Sequence, residues 1–126
     1  MKTLFQLEIK ELPPTVNLMH IHAHGRRIKT PEYRNFQERV TTEIKTLWRN
    51  KPPFKGRAAL LISFFTNNRR HWDIDNRVKA LQDCLTFAGV IQDDSQIDLL
   101  HVERVHGAEE NSTRIMLNEL LPRNNA

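Results

Sequence analysis

Residues 57 to 66 read RAALLISFFT, and this stretch decides the fold. It is an apolar run about as long as a strand, and it lacks the regular alternation of apolar and polar residues that is typical of a strand with one solvent-exposed face. Continuous runs of this kind are typical of a central strand that other elements cover on both sides. We therefore predict a central strand over residues 57 to 66, buried on both faces.

The chain before this strand predicts one more strand and a long arm. Phe5, Leu7 and Ile9 alternate with polar residues, which indicates a strand over residues 3 to 10 with one buried face. Residues 11 to 30 have no sustained period and are rich in basic residues towards their end. We interpret them as a long basic loop or arm.

A first helix is predicted after this arm. Thr30, Pro31 and Glu32 form a typical helix start, with a hydroxyl cap, a proline where no amide is needed and an acid in the first turn. The helix should end before Pro52. Its apolar residues recur at helical spacing and form one stripe, namely Tyr33, Phe36, Val40, Ile44, Leu47 and Trp48.

The chain after the central strand predicts a second helix and two further strands. Residues 73 to 89, DIDNRVKALQDCLTFAG, have helical spacing and end in a glycine. Strands are predicted over residues 98 to 106 and 112 to 120, and GAEEN between them is typical of a hairpin loop. The predicted order is β-α-β-α-β-β, in one α+β domain over residues 1 to 126 with a frayed tail at residues 122 to 126.

The composition is that of a folded protein with a basic surface. The 126 residues are 39% hydrophobic and 27% charged, and 19 Lys and Arg against 15 Asp and Glu give a net charge of +4. This charge hints at a polyanionic partner. The single cysteine, Cys84, excludes a disulfide framework and a cysteine-based zinc site. No apolar run approaches the roughly 20 residues of a membrane span, so we expect a cytoplasmic protein without a membrane partner.

The basic residues cluster in two places, and we predict that both clusters contact nucleic acid phosphates. In the arm, the alternating histidines His20, His22 and His24 could instead ligate a transition metal if the chain is extended there. A mobile basic arm that contacts DNA is the interpretation we favour. The clusters comprise Arg26, Arg27 and Lys29 in the arm, and Arg69, Arg70 and His71 before the second helix.

Asp73 and Asp75 lie between the central strand and the second helix. One aspartate in such a position is explained by N-capping. A second nearby carboxylate repels the first unless a cation lies between them, and oxygen-rich clusters suit Mg²⁺ or Mn²⁺. Asp93 and Asp94 follow the second helix and could add to the cluster. Capping and metal binding both remain open from these residues alone.

Lys79 also has two interpretations. It lies four residues after Asp75 and four before Asp83, so the three residues could form a solvent-facing charge ladder on the helix. Alternatively, Lys79 could lie beside a metal cluster and neutralise charge on a phosphate. Spacing alone favours the charge ladder.

Several common motifs are absent from the sequence. A calcium loop starting at Asp73 would need glycine and glutamate where Val78 and Cys84 stand. The chain has no glycine-rich phosphate loop and no G-x-S-x-G nucleophile elbow. Carboxylate-metal chemistry is the enzymatic class that remains.

Residues 73 to 97 resemble the RusA family of Holliday junction resolvases, which are crossover junction endodeoxyribonucleases of bacteria and their phages. The family pattern is D-[LI]-D-N, a lysine four residues later, an aspartate four further on, then a glycine and D-D-x-Q. The segment LPPTVN, with Asn17, is similar to the family's P-P-S-x-N segment, although Thr15 replaces the usual serine. The matching positions are Asp73, Asp75, Asn76, Lys79, Asp83, Gly89, Asp93, Asp94 and Gln96.

This resemblance implies an activity and a set of site residues. It implies an endonuclease that acts on four-way junction DNA with Mg²⁺, for which Mn²⁺ can substitute, and it implies a homodimer with a mixed sheet packed against two helices. Asn17 and Asn76 are expected to contact the DNA, and Asp83 and Asp93 to have supporting roles. The implied catalytic residues are the metal-binding acids Asp73, Asp75 and Asp94 and the lysine Lys79.

Two other functions stay open. One is a non-catalytic DNA-binding or adaptor module, in which the acidic cluster caps a helix and pairs with the nearby arginines. The other is a metal nuclease for other branched or single-stranded DNA.

The two tryptophans differ, since Trp48 fits the core stripe of the first helix whereas Trp72 could be either a core residue or a base-stacking group.

Overall fold

The computed structural model describes residues 2 to 122 of the chain. The predicted frayed tail therefore lies outside the described residues, apart from Pro122. Within residues 2 to 122, no helix is long and apolar enough to cross a membrane. The same range contains strands β1 (Lys2–Ile9), β2 (His20–Ala23), β3 (Arg26–Lys29), β4 (Ala58–Thr66), β5 (Ile97–His106) and β6 (Ser112–Glu119), and helices α1 (Pro31–Trp48) and α2 (Val78–Phe87).

β4 lies inside the main sheet, whose strand order is β1-β6-β4-β5. It runs parallel to β5 and antiparallel to β6. Helix α2 connects β4 to β5, because parallel neighbours need a crossover of this kind and cannot be joined by a tight turn. The predicted α+β class, the mixed sheet and the central position of residues 57 to 66 are confirmed.

The prediction that β4 is buried on both faces is wrong. Leu60, Ile62 and Phe64 are fully buried, whereas the alternate residues Leu61, Ser63 and Phe65 are only half-buried. One core contains the first set together with the apolar faces of both helices. Both helices therefore cover the same face of the sheet, and the opposite face is a shallow concavity open to solvent.

The predicted hairpin between the last two strands is also wrong. β5 and β6 do not pair with each other, because β4 lies between them. The loop from residue 107 to 111 crosses the end of β4, where the Ala108 amide donates a hydrogen bond to the Thr66 carbonyl over 3.1 Å. The most apolar strand takes the central position because two neighbouring strands shield it from water, which leaves the more polar β5 at an edge.

The arm predicted as a loop over residues 11 to 30 contains a β-hairpin. Strands β2 and β3 pair antiparallel along their whole length. Their turn is formed by His24 and Gly25, which both have positive φ, at 52° and 69°. A two-residue turn with two left-handed residues matches the twist of hairpin strands, so this turn determines the pairing.

The start of α1 and the end of α2 follow local features that the sequence encodes. The Thr30 hydroxyl caps α1 by accepting a hydrogen bond from the Tyr33 amide over 3.2 Å, as predicted. The predicted apolar stripe of α1 is buried, including Trp48, except for Leu47, which is 48% exposed. At the end of α2, Gly89 has a φ of 77°, and the Val90 amide donates back to the Leu85 carbonyl over 3.1 Å. This closure turns the chain back along α2.

Candidate active site

The two paired aspartates lie on a short turn ahead of α2. Residues Ile74–Arg77 form a 3₁₀ helix, and α2 itself starts at Val78, later than predicted. Asp73 occupies the N-cap position of the 3₁₀ helix, but its side chain makes no capping hydrogen bond. Capping therefore does not explain Asp73. Asp75 lies in the first turn of the 3₁₀ helix and is exposed like Asp73.

Trp72 attaches this acidic turn to the sheet. Its ring packs edge-on against the buried Phe64, with ring centroids 5.5 Å apart. The guanidinium groups of Arg77 and Arg104 lie 4.8 Å and 5.0 Å from its ring centroid. Arg104 also donates a hydrogen bond to the Trp72 carbonyl. Trp72 is therefore a packing residue here, and its ring is engaged by protein groups.

A second link joins the acidic turn to the N-terminal segment that carries Asn17. Arg77 donates a hydrogen bond to the Pro13 carbonyl over 2.5 Å. Burial lowers the pKa of Arg77. The 3₁₀ turn Val16–Leu18, which contains Asn17, lies against the 3₁₀ helix of the aspartates. The two segments of the family resemblance are thus neighbours in space, and the exposed Asn17 lies on the same part of the surface.

Asp94 lies alongside α2 and contacts both ends of that helix. Its Oδ2 lies 3.1 Å from the Lys79 ammonium, in the first turn of α2. Its Oδ1 accepts a hydrogen bond of 2.9 Å from the Thr86 hydroxyl, in the last turn. The chain after α2 therefore folds back, and this geometry brings a residue from beyond the helix to the start of the helix.

The Lys79 ammonium is shared between two carboxylates. It lies 3.0 Å from Asp83 Oδ1 and 3.1 Å from Asp94 Oδ2. Hydrogen bonding to Asp83, and then to Asp94, raises the pKa of Lys79 and keeps its positive charge. The predicted pair with Asp83 is present, but Asp83 is 19% exposed and so does not belong to a solvated ladder. Lys79 also lines a groove with Asp75, bounded by Leu100 and Val102 of β5.

Asp73 and Asp75 suit a cation by their donor chemistry. Within residues 2 to 122, neither carboxylate forms an ion pair or accepts a side-chain hydrogen bond, so the nearby Arg69 and Arg70 do not neutralise them. The pairing expected for a non-catalytic module is thus not found there. Hard oxygen donors that lack protein partners fit Mg²⁺ or Mn²⁺. The described part of the chain holds no three acidic, histidine or cysteine side chains already arranged around one point, so the ligand set stays a prediction.

The basic residues predicted to contact DNA differ in how many protein partners they have. Arg69, Arg70 and His71 are exposed on the loop that leads from β4 to the acidic turn. On the hairpin, Arg26 and Arg27 are exposed and unpaired within the described residues. The Lys29 ammonium instead donates to Gln37 over 2.7 Å and lies 5.1 Å from the Phe87 ring centroid. The Lys29 side chain therefore already has partners on both helices.

The three arm histidines do not gather around a metal-binding point within the described chain. His20 packs edge-on against Tyr33 with ring centroids 5.5 Å apart, whereas His22 is exposed and His24 lies in the hairpin turn. Burial, followed by repulsion from Arg27 and Lys29, lowers the pKa of His20. His20 is a hairpin packing residue.

Comparison with known proteins decides the family. A family model described as "Endodeoxyribonuclease RusA" matches residues 11 to 118. The chain is also 31% identical, over 112 residues, to a "Crossover junction endodeoxyribonuclease RusA" from Aquifex aeolicus (strain VF5), and the match covers 83% of this chain and 84% of that relative. The chain belongs to the RusA family. The matched range includes the 3₁₀ turns, α2 and the groove.

The D-D-x-Q segment of the RusA pattern has a structural role in this chain. Asp93 caps the 3₁₀ turn Asp94–Gln96 by accepting from the Ser95 amide over 3.0 Å, and the Ser95 hydroxyl bond lowers the pKa of Asp93. The Gln96 oxygen accepts from the Gln92 and Asp93 amides over 2.7 Å and 3.1 Å. The side-chain NH₂ group of Gln96 donates to the backbone carbonyls of Phe54 and Gly56 over 2.7 Å and 3.0 Å.

Replacing Gln96 with alanine is expected to destabilise the protein by about 1–3 kcal/mol, because four backbone groups lose a partner. The loss should appear as a lower denaturant midpoint with an unchanged slope. Gln92→Ala is the matched control, since the Gln92 side chain is exposed and makes no hydrogen bond within the described residues. Equal midpoints for the two variants would show that the Gln96 bonds contribute no net stability.

Thr86 and Tyr33 contact the candidate site residues, and neither contact is predicted by the sequence. Thr86 gave no signal, because its partner Asp94 comes from a loop that only the fold brings close. Tyr33 was assigned to the core stripe of α1, and it is buried there. Its hydroxyl, however, donates to Asp83 over 2.7 Å. A signal was present, since a tyrosine in a buried stripe needs a hydrogen-bond partner.

Proposed function

We propose that this protein is a metal-dependent, structure-selective endonuclease that resolves Holliday junctions by paired symmetric nicks. Membership of the RusA family and the name of the Aquifex relative support the activity. The observation that carries most weight is the position of Lys79, which contacts Asp94 and shares a groove with Asp75. Residues that lie far apart in the sequence thus approach one place on the surface.

In this proposal Asp73, Asp75 and Asp94 hold Mg²⁺, for which Mn²⁺ can substitute. The bound ion would polarise the scissile phosphate and lower the pKa of an attacking water. The protein's own contribution is charge and position. Lys79 presents a fixed ammonium that can offset the charge developing on phosphate oxygens, and Thr86 fixes the orientation of the Asp94 carboxylate.

The DNA-binding surface in this proposal combines two basic segments, one in the loop before the acidic turn and one on the hairpin. Arg69, Arg70 and His71 lie directly before Asp73, and Arg26 and Arg27 extend from the hairpin. Their charges would contact phosphates without reading sequence. Lys29 would contribute less to phosphate binding, because its ammonium already donates a hydrogen bond to Gln37. Asn17 and Asn76 would contact the DNA close to the cleaved bond.

The proposed active unit is a homodimer. Two symmetric nicks in a four-way junction require two active sites related by a two-fold axis, and each chain supplies one acidic turn. The chain is proposed to act as one domain over residues 1 to 126. A cytoplasmic location in a bacterial or phage-infected cell is a prediction that follows from this role.

Cleavage of a labelled four-way junction tests the proposal. Matched linear duplex and single strand serve as control substrates, each with Mg²⁺, Mn²⁺ or EDTA. The expected result is paired symmetric nicks in the junction alone, lost in EDTA. Binding to the junction without metal-dependent nicks would contradict nuclease activity, and equal cutting of all substrates would contradict selectivity for junctions.

A further inference from the structure

Helix α1 contributes one buried polar side chain to the surroundings of Lys79. Tyr33 is 1% exposed, and its hydroxyl donates to Asp83 Oδ2 over 2.7 Å. Gln37, one turn along α1, donates to the same hydroxyl over 3.3 Å. Burial and the bond to Asp83 raise the pKa of Tyr33, so its hydroxyl remains a donor. A buried hydroxyl of the core therefore contacts Asp83, the partner of the groove-lining Lys79.

Asp83 is fixed through both of its oxygens. Oδ2 accepts from Tyr33, and Oδ1 lies 3.0 Å from the Lys79 ammonium. An aspartate free to rotate would offer Lys79 either oxygen at changing positions, whereas a buried donor on Oδ2 directs Oδ1 towards Lys79. Lys79 needs such a partner, because its side chain is 51% exposed and has four flexible methylene groups.

Asp83 also gives Lys79 a partner other than Asp94. Without Asp83, the ammonium would be left with Asp94 alone among the residues it now contacts. The proposed activity needs Asp94 for the metal and Lys79 for the phosphate at the same time. A fixed second carboxylate lets Lys79 keep its place when the oxygens of Asp94 are engaged elsewhere.

We propose that Tyr33 is a positioning residue for the nuclease reaction, which holds the Lys79 ammonium at the groove by fixing Asp83. The proposal rests on the function proposed above. It assigns to α1 a role that the residues of the RusA pattern do not reveal, since Tyr33 lies 40 residues before Asp73 in the sequence. The hairpin supports the same phenol, through the ring of His20 and through Lys29, which binds Gln37.

A purely structural role for Tyr33 makes a different prediction. A buried tyrosine that only satisfies its own hydroxyl would, on loss of that hydroxyl, lower stability and leave Lys79 unaffected. A positioning role predicts that Lys79 becomes more mobile and that the chemical step slows while DNA binding stays the same. The order of the Lys79 side chain and the separation of kcat from KM distinguish these two roles.

The test compares Tyr33→Phe with Thr113→Val. Thr113 is fully buried, and its hydroxyl donates to the Glu11 carbonyl over 2.8 Å and not to a partner of Lys79, so the control also loses one buried donor. Side-chain order of Lys79 is measured by NMR relaxation in the free protein, without DNA or metal. Junction cleavage is measured in Mg²⁺. Outer-shell partners of metal ligands typically contribute about 10–100-fold, and we take this range for Tyr33, which contacts Lys79 through one intervening residue in the same way.

Tyr33→Phe is expected to lower kcat about tenfold with KM unchanged, which is the lower end of that range, and to reduce the order of Lys79. Thr113→Val should change neither. The proposal is overturned if Tyr33→Phe leaves the order of Lys79 as in the wild type. Asp83→Asn provides the second variant, and the double variant should be no slower than Asp83→Asn alone, because Tyr33 acts only through Asp83.

Failure of the proposed function has a separate signature. If the wild-type protein nicks no junction, the nuclease proposal fails and with it the catalytic part of this inference. The NMR measurement in the free protein still decides whether Tyr33 fixes Lys79. If the wild-type protein nicks junctions and Tyr33→Phe nicks them equally well, the nuclease proposal stands and the positioning role is rejected.

Discussion

Replacing Asp75 with asparagine is expected to reduce metal-dependent nicking of a four-way junction by at least about 100-fold in kcat, as for loss of a group that stabilises charge in the transition state. The substitution keeps the shape of the side chain and removes one negative charge. Asp75 is exposed and its carboxylate has no hydrogen-bond or ion-pair partner within the described residues, so folding should be unaffected to within about 0.5 kcal/mol. Loss of activity would then report on chemistry alone.

The same variant separates metal binding from DNA binding. A ligand that binds only the folded state raises the unfolding temperature. Mg²⁺ should therefore stabilise the wild-type protein and stabilise Asp75→Asn less, while both bind the junction. Glu109→Gln, in the exposed loop after β5, removes the same charge at a residue that does not line the groove and should behave as the wild type. Full activity of Asp75→Asn would exclude Asp75 as a metal ligand.

Replacing Phe64 with alanine is expected to cost about 3–5 kcal/mol of unfolding free energy, the range for removing a large aromatic side chain from a core. Phe64 is fully buried near the C-terminal end of β4, and its ring also supports Trp72, which carries the acidic turn. The variant should therefore lose activity as well, even at temperatures where it remains folded. Urea unfolding at low temperature is the appropriate measurement, because the loss is a large part of a typical total stability.

The neighbouring Phe65 provides the matched control for this prediction. It has the same side chain and lies on the same strand, but it points to the open face of the sheet and is only half-buried under Arg114, whose guanidinium lies 4.8 Å from the ring centroid. Phe65→Ala should cost clearly less stability than Phe64→Ala. Equal losses would indicate that a second molecule covers the open face in solution.

The elements of this fold could be predicted from sequence because their signals are local. Thr30 before Pro31 indicates the start of α1, and Gly89 indicates the end of α2. The apolar run from 57 to 66 indicates the central strand. These features depend on residues a few positions apart, so a pattern reveals them directly.

The arrangement of these elements was harder to predict because it depends on distant partners. Between residues 57 and 66, Ser63 is the one polar residue inside an otherwise apolar run, so the run could not reveal that only one face of the sheet is covered. The turn at His24 and Gly25 lacks the usual asparagine or aspartate ahead of the glycine, so the hairpin was not recognised. The strands around GAEEN are close in sequence, but they are separated by β4 in the sheet.

In the candidate site, as in the fold, local sequence patterns point to some residues, whereas others depend on contacts between distant parts of the chain. The pattern of the RusA family points to Asp75, Lys79 and Asp94 as candidate site residues. It does not point to Tyr33 or Thr86, whose contacts with Asp83 and Asp94 are made across the fold. Residues that orient catalytic groups lie on whichever element packs nearby, and their spacing in the sequence carries no signature.

The two contacts of Asp94 restrict which changes in chain length α2 can accept. Lys79 and Thr86 are seven residues apart, which is about two turns of helix, so their side chains lie on the same face. One residue inserted or deleted between them would rotate one side chain by about 100° away from the other, and Asp94 could then keep only one of the two contacts. Across related proteins, the interval between positions 79 and 86 should therefore be constant, while the loop at residues 107 to 111 is free to vary in length.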